Sequence, residues 1–84
     1  MKIVFAAQGR EDFTYWVEHD RKIAVRIIRL IKEIERQPWE GLGKPEPLRH
    51  DLAGFWSRRI TDEHRLVYAV EGKQLLIAQA RYHY

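Results

Sequence analysis

Gly54–Val70, GFWSRRITDEHRLVYAV, is the stretch whose reading decides the fold. FWSRRI and RLVYAV are both rich in aromatic and β-branched residues, and the polar run Thr61, Asp62, Glu63, His64 separates them, so the pair reads as a β-hairpin. The next run, LLIAQARYHY, follows a turn at Glu71, Gly72 and Lys73 and reads as a third strand in meander order. Arg58, Arg59, Glu63, His64, Arg65, Arg81 and His83 then gather near one end of one sheet. Pairing Gln74 with Val70 sets Gln79 opposite Arg65, Arg81 opposite Glu63, and His83 near Thr61. Because side chains alternate along a strand, this register predicts that Glu63, Arg65, Arg81 and His83 share a face, joined by Arg59 if it pairs with Arg65. A slip of one residue would scatter the set.

Upstream, Lys2 to Ala6 is a short apolar strand. Gln8 to Glu18 carries Phe13, Trp16 and Val17 at helical spacing, with Gly9 near a start that lacks a capping side chain, which predicts a frayed first turn. His19 and Asp20 break the pattern, and Asp20 is placed to cap a second helix over Arg21 to Gln37. There Ile23, Ile27, Leu30, Ile31 and Ile34 form one apolar stripe, and Pro38 stops the helix. Lys22, Arg26, Arg29, Lys32 and Arg36 fall on the other side, either as a solvated face or as a contact for a phosphate backbone.

Pro38–Pro47, PWEGLGKPEP, is a loop by composition. Its GLGKP is not a phosphate-binding loop, because no Ser or Thr follows Lys44 and Pro45 forbids the helix such a loop must open. Glu46 between two prolines is a carboxylate on a restricted backbone, an incidental loop residue or a positioned base. Leu48 to Leu52 is expected to add a short strand before Ala53 and Gly54 turn into the hairpin.

The 84 residues make a single domain, 1–84, with a modest core. There are no cysteines, which excludes a disulfide framework and thiolate chemistry. No apolar run is long enough for a membrane span and no secretion signal opens the chain, so the expectation is a soluble cytoplasmic protein without a membrane partner. The formal net charge is +3, and ten of the 15 basic residues are arginine, whose donor fork suits phosphate or carboxylate. His19, His50, His64 and His83 lack metal-ligand spacing, and the lone Ser57 has no nucleophile elbow around it, so neither a metal or other cofactor nor serine chemistry is expected.

The segments GKPEPL, GFWSRRITDEHRLVY and the terminal RYHY resemble the YoeB type of toxin in the RelE/ParE superfamily over nearly the whole chain. That resemblance implies an α+β fold of the microbial RNase-like, RelE type, with two N-terminal helices packed on a twisted, mainly antiparallel sheet. It implies an mRNA endoribonuclease working in the ribosomal A site, neutralised by a cognate YefM-like antitoxin with an acidic segment; the sequence does not give the oligomeric state, and a homodimer stays open as a partner state. Carried over by residue, the general base falls on Glu46, the general acid on His83, and transition-state and phosphate contacts on Arg59 and Arg65. Tyr84 belongs to the catalytic group, Glu63 supports it, and Arg49 joins Arg59 as a phosphate contact; Lys44 and Arg81 are further candidates for binding RNA phosphates by their charge. Arg49 stands where such toxins often have lysine. The chemistry suits these residues: attack by a 2′-hydroxyl on the adjacent phosphate needs a base, an acid at the 5′ oxygen, and cations on the phosphoryl oxygens. Two rival functions share the fold, a toxin that binds DNA gyrase and a component that only binds antitoxin or repressor.

Overall fold

The computed structural model describes residues 1–83. In chain order it contains β1 (Lys2–Phe5), α1 (Ala7–His19), α2 (Arg21–Arg36), β2 (Glu46–Pro47), β3 (Trp56–Arg59), β4 (Arg65–Glu71) and β5 (Gln74–Gln79). The five strands form one sheet in the order β1-β5-β4-β3-β2. β1 runs parallel to β5 and the other pairs are antiparallel, so the expected α+β layout of two helices on a mainly antiparallel sheet is present.

α2 forms where its apolar spacing and its cap agree. The Asp20 side chain accepts from the backbone N–H groups of Lys22 and Ile23 at 3.1 and 3.4 Å, which satisfies donors that the helix start leaves unpaired. Ile27, Leu30 and Ile34 are fully buried against Leu66, Tyr68, Leu75 and Ile77 of β4 and β5. Ile23 and Ile31 sit at the margin of that core. α1 presents a different stripe from the expected one. Its buried positions are Gly9, Asp12 and Trp16, while Val17 is 39% exposed. Gly9 lies inside the helix and not at its cap, and a Cβ there would come within 2.3 Å of the Ile77 carbonyl oxygen. The missing side chain lets α1 lie directly on β5.

Three expectations for the strands need correction. Leu48 to Leu52 is not a strand: His50–Leu52 is a single 3₁₀ turn, entered through a left-handed His50, and the pairing lies earlier, at Glu46–Pro47. Prolines favour an extended backbone, and the missing N–H of Pro47 is tolerated on an edge strand. The β4–β5 register also differs by one residue from that expected, since Glu71 pairs with Gln74 and Val70 with Leu75. A bulge then sets Val67 opposite Gln79. Finally, β5 stops at Gln79 and does not run to the end of the chain. The N–H and C=O of Ala80 are both taken by side chains of α1, so the ladder has nothing left to pair with there.

Arg58 is completely buried. Its Nη1 donates to the Leu42 carbonyl at 3.0 Å, Nη2 to the carbonyls of Gln37 and Glu40, and Nε to the Tyr68 hydroxyl at 3.1 Å. The hydroxyl of Tyr68 in turn donates to the Pro38 carbonyl at 2.8 Å. One guanidinium therefore satisfies the polar backbone of the proline-rich loop and ties it to the sheet. Burial pushes the Tyr68 phenol above its ordinary 10.0, with the hydrogen bond and charge of Arg58 pulling the other way.

Candidate active site

Pairing partners in adjacent strands share a face, so the register places the candidate residues directly. Glu46 pairs with Ser57, Ser57 with Val67, and Val67 with Gln79, which makes a row straight across four strands. The next row on this face is Arg59 paired with Arg65, as expected. Leu66 and Tyr68 alternate with these positions and pack under the helices, so the row of Glu46 and the arginine row lie on the face turned away from α1 and α2. Ser57, Val67 and Ala69 are small and buried on that face, and form a floor between the longer side chains. From Glu46 to Gln79 the row spans three strand spacings, roughly 14 Å.

Each cation is held differently. The Arg59 backbone donates its N–H to the Gly43 carbonyl and accepts from Arg26 Nη2 at 3.2 Å, while its side chain stands exposed. Gly43 is left-handed at φ 86°, and a Cβ there would meet Leu30 and Arg59, so the close seat of the loop on β3 needs glycine. Lys44 follows, exposed and also left-handed. Arg65 anchors Nη1 on the carbonyls of Thr61, Asp62 and His64 at 2.7, 3.0 and 3.1 Å, which fixes the guanidinium at the β3–β4 turn. The hydroxyl of Thr61 closes that turn by accepting from the N–H groups of Glu63 and His64. Glu63 itself is exposed at the turn.

At the Glu46 end, Glu46, Arg49, His50 and Leu52 line an open cavity of about 610 Å³. At the other end, Gln79, Arg81, Tyr82 and His83 line a second cavity of about 390 Å³ with Gln8, Glu11 and Asp12 of α1. Tyr82 donates its N–H to His64 Nδ1 at 2.7 Å and accepts from the Arg65 N–H at 3.1 Å. His83 therefore leaves the chain beside Arg65, although β5 has already ended. Tyr82 adopts φ 60°, a conformation costly for a bulky residue, and it turns the chain end off the line of the strand.

Glu46, Arg59 and Arg65 thus share the helix-free face, with Arg59 and Arg65 in the expected register, while His83 follows Tyr82 near the start of β4 and lines the cavity shared with α1. Arg81 does not face Glu63. Its guanidinium lies 3.6 Å over the ring of Tyr15 and 4.7 Å from that of Tyr82, toward α1. Arg58, counted among the charged residues at this end of the sheet, faces the core on the other side. Tyr84 lies outside the described residues. Sequence reasoning missed His50 in the first cavity and the contacts of Asp12, Trp16 and His64 with the chain end. The one available signal was Asp12, a carboxylate one turn before Trp16 on the face that carries the helix's apolar residues.

The family profile for the YoeB-like toxin of bacterial type II toxin–antitoxin systems matches residues 5–84. The chain belongs to this family. It is 57% identical over 84 residues to Toxin YoeB of Escherichia coli K12, covering the whole of both chains. Its structure is similar to a YoeB/ParE toxin from Agrobacterium tumefaciens, with a TM-score of 0.97, 46% identity and complete coverage of both chains. It is also similar to the toxin of a YoeB–YefM complex from Staphylococcus aureus, with a TM-score of 0.92 and 44% identity over 100% of this chain and 98% of that one. Glu46, Arg59 and Arg65, which share the helix-free face, lie within the matched residues.

Proposed function

We propose that this YoeB-like toxin is a ribosome-dependent mRNA endoribonuclease that cuts in the A site and so inhibits translation. The observation that carries the reading is the row from Glu46 across the small-residue floor, with Arg59 and Arg65 beside it and His83 delivered next to Arg65. In this reading a phosphodiester lies over Ser57 and Val67, between the Glu46 carboxylate and the His83 imidazole. Glu46 takes the proton of the 2′-hydroxyl as its oxygen attacks phosphorus. Protonated His83 gives its proton to the departing 5′ oxygen, leaving a 2′,3′-cyclic phosphate. Arg59 and Arg65 carry the charge that builds on the phosphoryl oxygens, and the pair of fixed forks suits that role better than lysine would. Arg49 and Lys44 contact flanking phosphates, Arg81 borders the path beside His83, Glu63 offsets the arginines, and Tyr84 completes the catalytic group. This chemistry uses side chains alone.

Such an enzyme works in the cytoplasm on mRNA held by the ribosome, and a YefM-like antitoxin with an acidic segment covering Arg59 and Arg65 would silence it. Single-turnover cleavage on programmed ribosomes tests the reading. Glu46→Ala and His83→Ala are each expected to lose at least ~10²-fold in rate with unchanged circular dichroism. A 2′-deoxynucleotide placed at the cleavage position should block cutting altogether. Cleavage of that substrate at the normal rate would rule out 2′-hydroxyl attack.

A further inference from the structure

The residues just before His83 are held more tightly than a chain end needs for packing alone. Both polar backbone groups of Ala80 are bound by side chains of α1: its N–H donates to Asp12 Oδ2 at 2.9 Å, and its carbonyl accepts from Trp16 Nε1 at 2.8 Å. Asp12 and Trp16 are one helical turn apart on the same face, so a single element grips both sides of one peptide unit. Asp12 is 5% exposed, and no ion pair involves it among the described residues. Its other oxygen accepts from Gln8 Nε2 at 2.8 Å, which fixes the carboxylate plane. A buried carboxylate is costly, and among the described residues its only long-range bond is to Ala80. Two residues on, His64 Nδ1 takes the N–H of Tyr82, and the ring of His64 rests edge-on against Trp16 with centroids 4.8 Å apart. Between them the Arg81 guanidinium is stacked on Tyr15.

We propose that Asp12, Trp16 and His64 form a clamp whose role is to position His83 for proton donation. The inference rests on the reading of His83 as the general acid. Chain termini fray when nothing ties them down, and a misplacement of about 1 Å at a reacting group costs on the order of 10²-fold in rate. β5 ends at Gln79, and beyond it β4 contributes the bond from the Arg65 N–H to the Tyr82 carbonyl at 3.1 Å. The clamp takes over where the ladder stops and ends one residue before His83. His64 accepts through Nδ1, so its proton sits on Nε2, and the ring serves as a neutral acceptor rather than as a second acid. These three are positioning residues, with no contact to RNA required of them.

The test is single-turnover mRNA cleavage on programmed ribosomes, with saturation followed as ribosome concentration is varied. Asp12→Ala is expected to lower the maximal rate by about 10- to 100-fold while the half-saturating concentration changes by less than about threefold. Asp12→Asn keeps an oxygen acceptor for Ala80 and should restore most of that loss. Trp16→Phe keeps the packed ring but deletes the donor to the Ala80 carbonyl, and should lower the maximal rate in the same way. It carries the test if Asp12→Ala does not fold. In a His83→Ala background neither substitution should slow cleavage further, because the clamp acts through His83. Near-native cleavage by both clamp variants, with His83→Ala inactive, would overturn the clamp and leave His83 as the acid. A His83→Ala protein that cuts normally would instead remove the reading on which the clamp rests. Additive losses in the double variants would show a general structural role and sink the inference.

Discussion

The two ends of the proposed active site are anchored by opposite means. At the Glu46 end, a loop is fastened from the inside of the sheet by Arg58, whose guanidinium satisfies three carbonyls between Gln37 and Leu42, while Trp39 packs on Trp56 at 4.8 Å. At the His83 end, the last residues are fastened by a helix from the start of the chain, through hydrogen bonds that span 64 and 68 positions. The Glu46 side thus depends on one buried cation and the loop it fastens. The His83 side depends on α1 docking correctly on β5. The proposed reaction needs both groups in place at once and would therefore couple catalysis to the seating of the helix layer, so damage to either anchor should have a distinct signature.

Arg58→Met should break the first anchor with the largest effect. It keeps volume but orphans the loop carbonyls and the Tyr68 hydroxyl, for a destabilisation of roughly 3 to 5 kcal/mol. Urea denaturation measures it, and a loss under 1 kcal/mol would mean that the loop finds other partners cheaply. Gly9→Ala attacks the second anchor. A Cβ that would lie 2.3 Å from the Ile77 carbonyl must push α1 off β5, at about 1 to 3 kcal/mol. The remaining folded protein should also cleave more slowly than its stability loss explains, because Asp12 and Trp16 shift with the helix. A normal rate in a destabilised Gly9→Ala protein would uncouple the helix seat from catalysis.

The smallest effect sharpens the first anchor and concerns pH. The Tyr68 phenol titrates above 10.0 in the native state because it is buried, with Arg58 opposing the shift. As pH rises past about 10 the unfolded chain loses this proton while the native state keeps it, so stability falls with pH in that window and is fully present below it. Tyr68→Phe should show a shallower decline in urea midpoint between about pH 9 and 11 than the wild type. Equal slopes would mean that the loop anchor leaves the phenol unperturbed.

Much of this was legible in the chain. The α2 stripe, the Asp20 cap, the β3–β4 hairpin and the Arg59–Arg65 pairing all follow from local periodicity and turn chemistry, which act over a few residues. The site residues came from the similarity to YoeB-like toxins, and their chemistry was readable from residue type alone. Other features were not legible. Arg58 and Arg59 are adjacent and identical in kind, and only the alternation of a strand, once the helices had chosen a face, sent one into the core and the other to the site. The β4–β5 register was set by a turn geometry and a bulge that composition does not announce.

What the sequence by itself determined is the set of elements and the chemical inventory, a carboxylate held by prolines, paired arginines and a histidine near the end of the chain. Only the tertiary structure decided how that histidine is held. Asp12 and Trp16 lie 68 and 64 residues from Ala80, and nothing in local propensity favours their meeting. Their hydrogen bonds form because burying the Gly9 face of α1 on β5 brings polar groups into a place without water, where each must find a partner. The N–H and C=O of Ala80 find theirs in the helix, and the strand ends there.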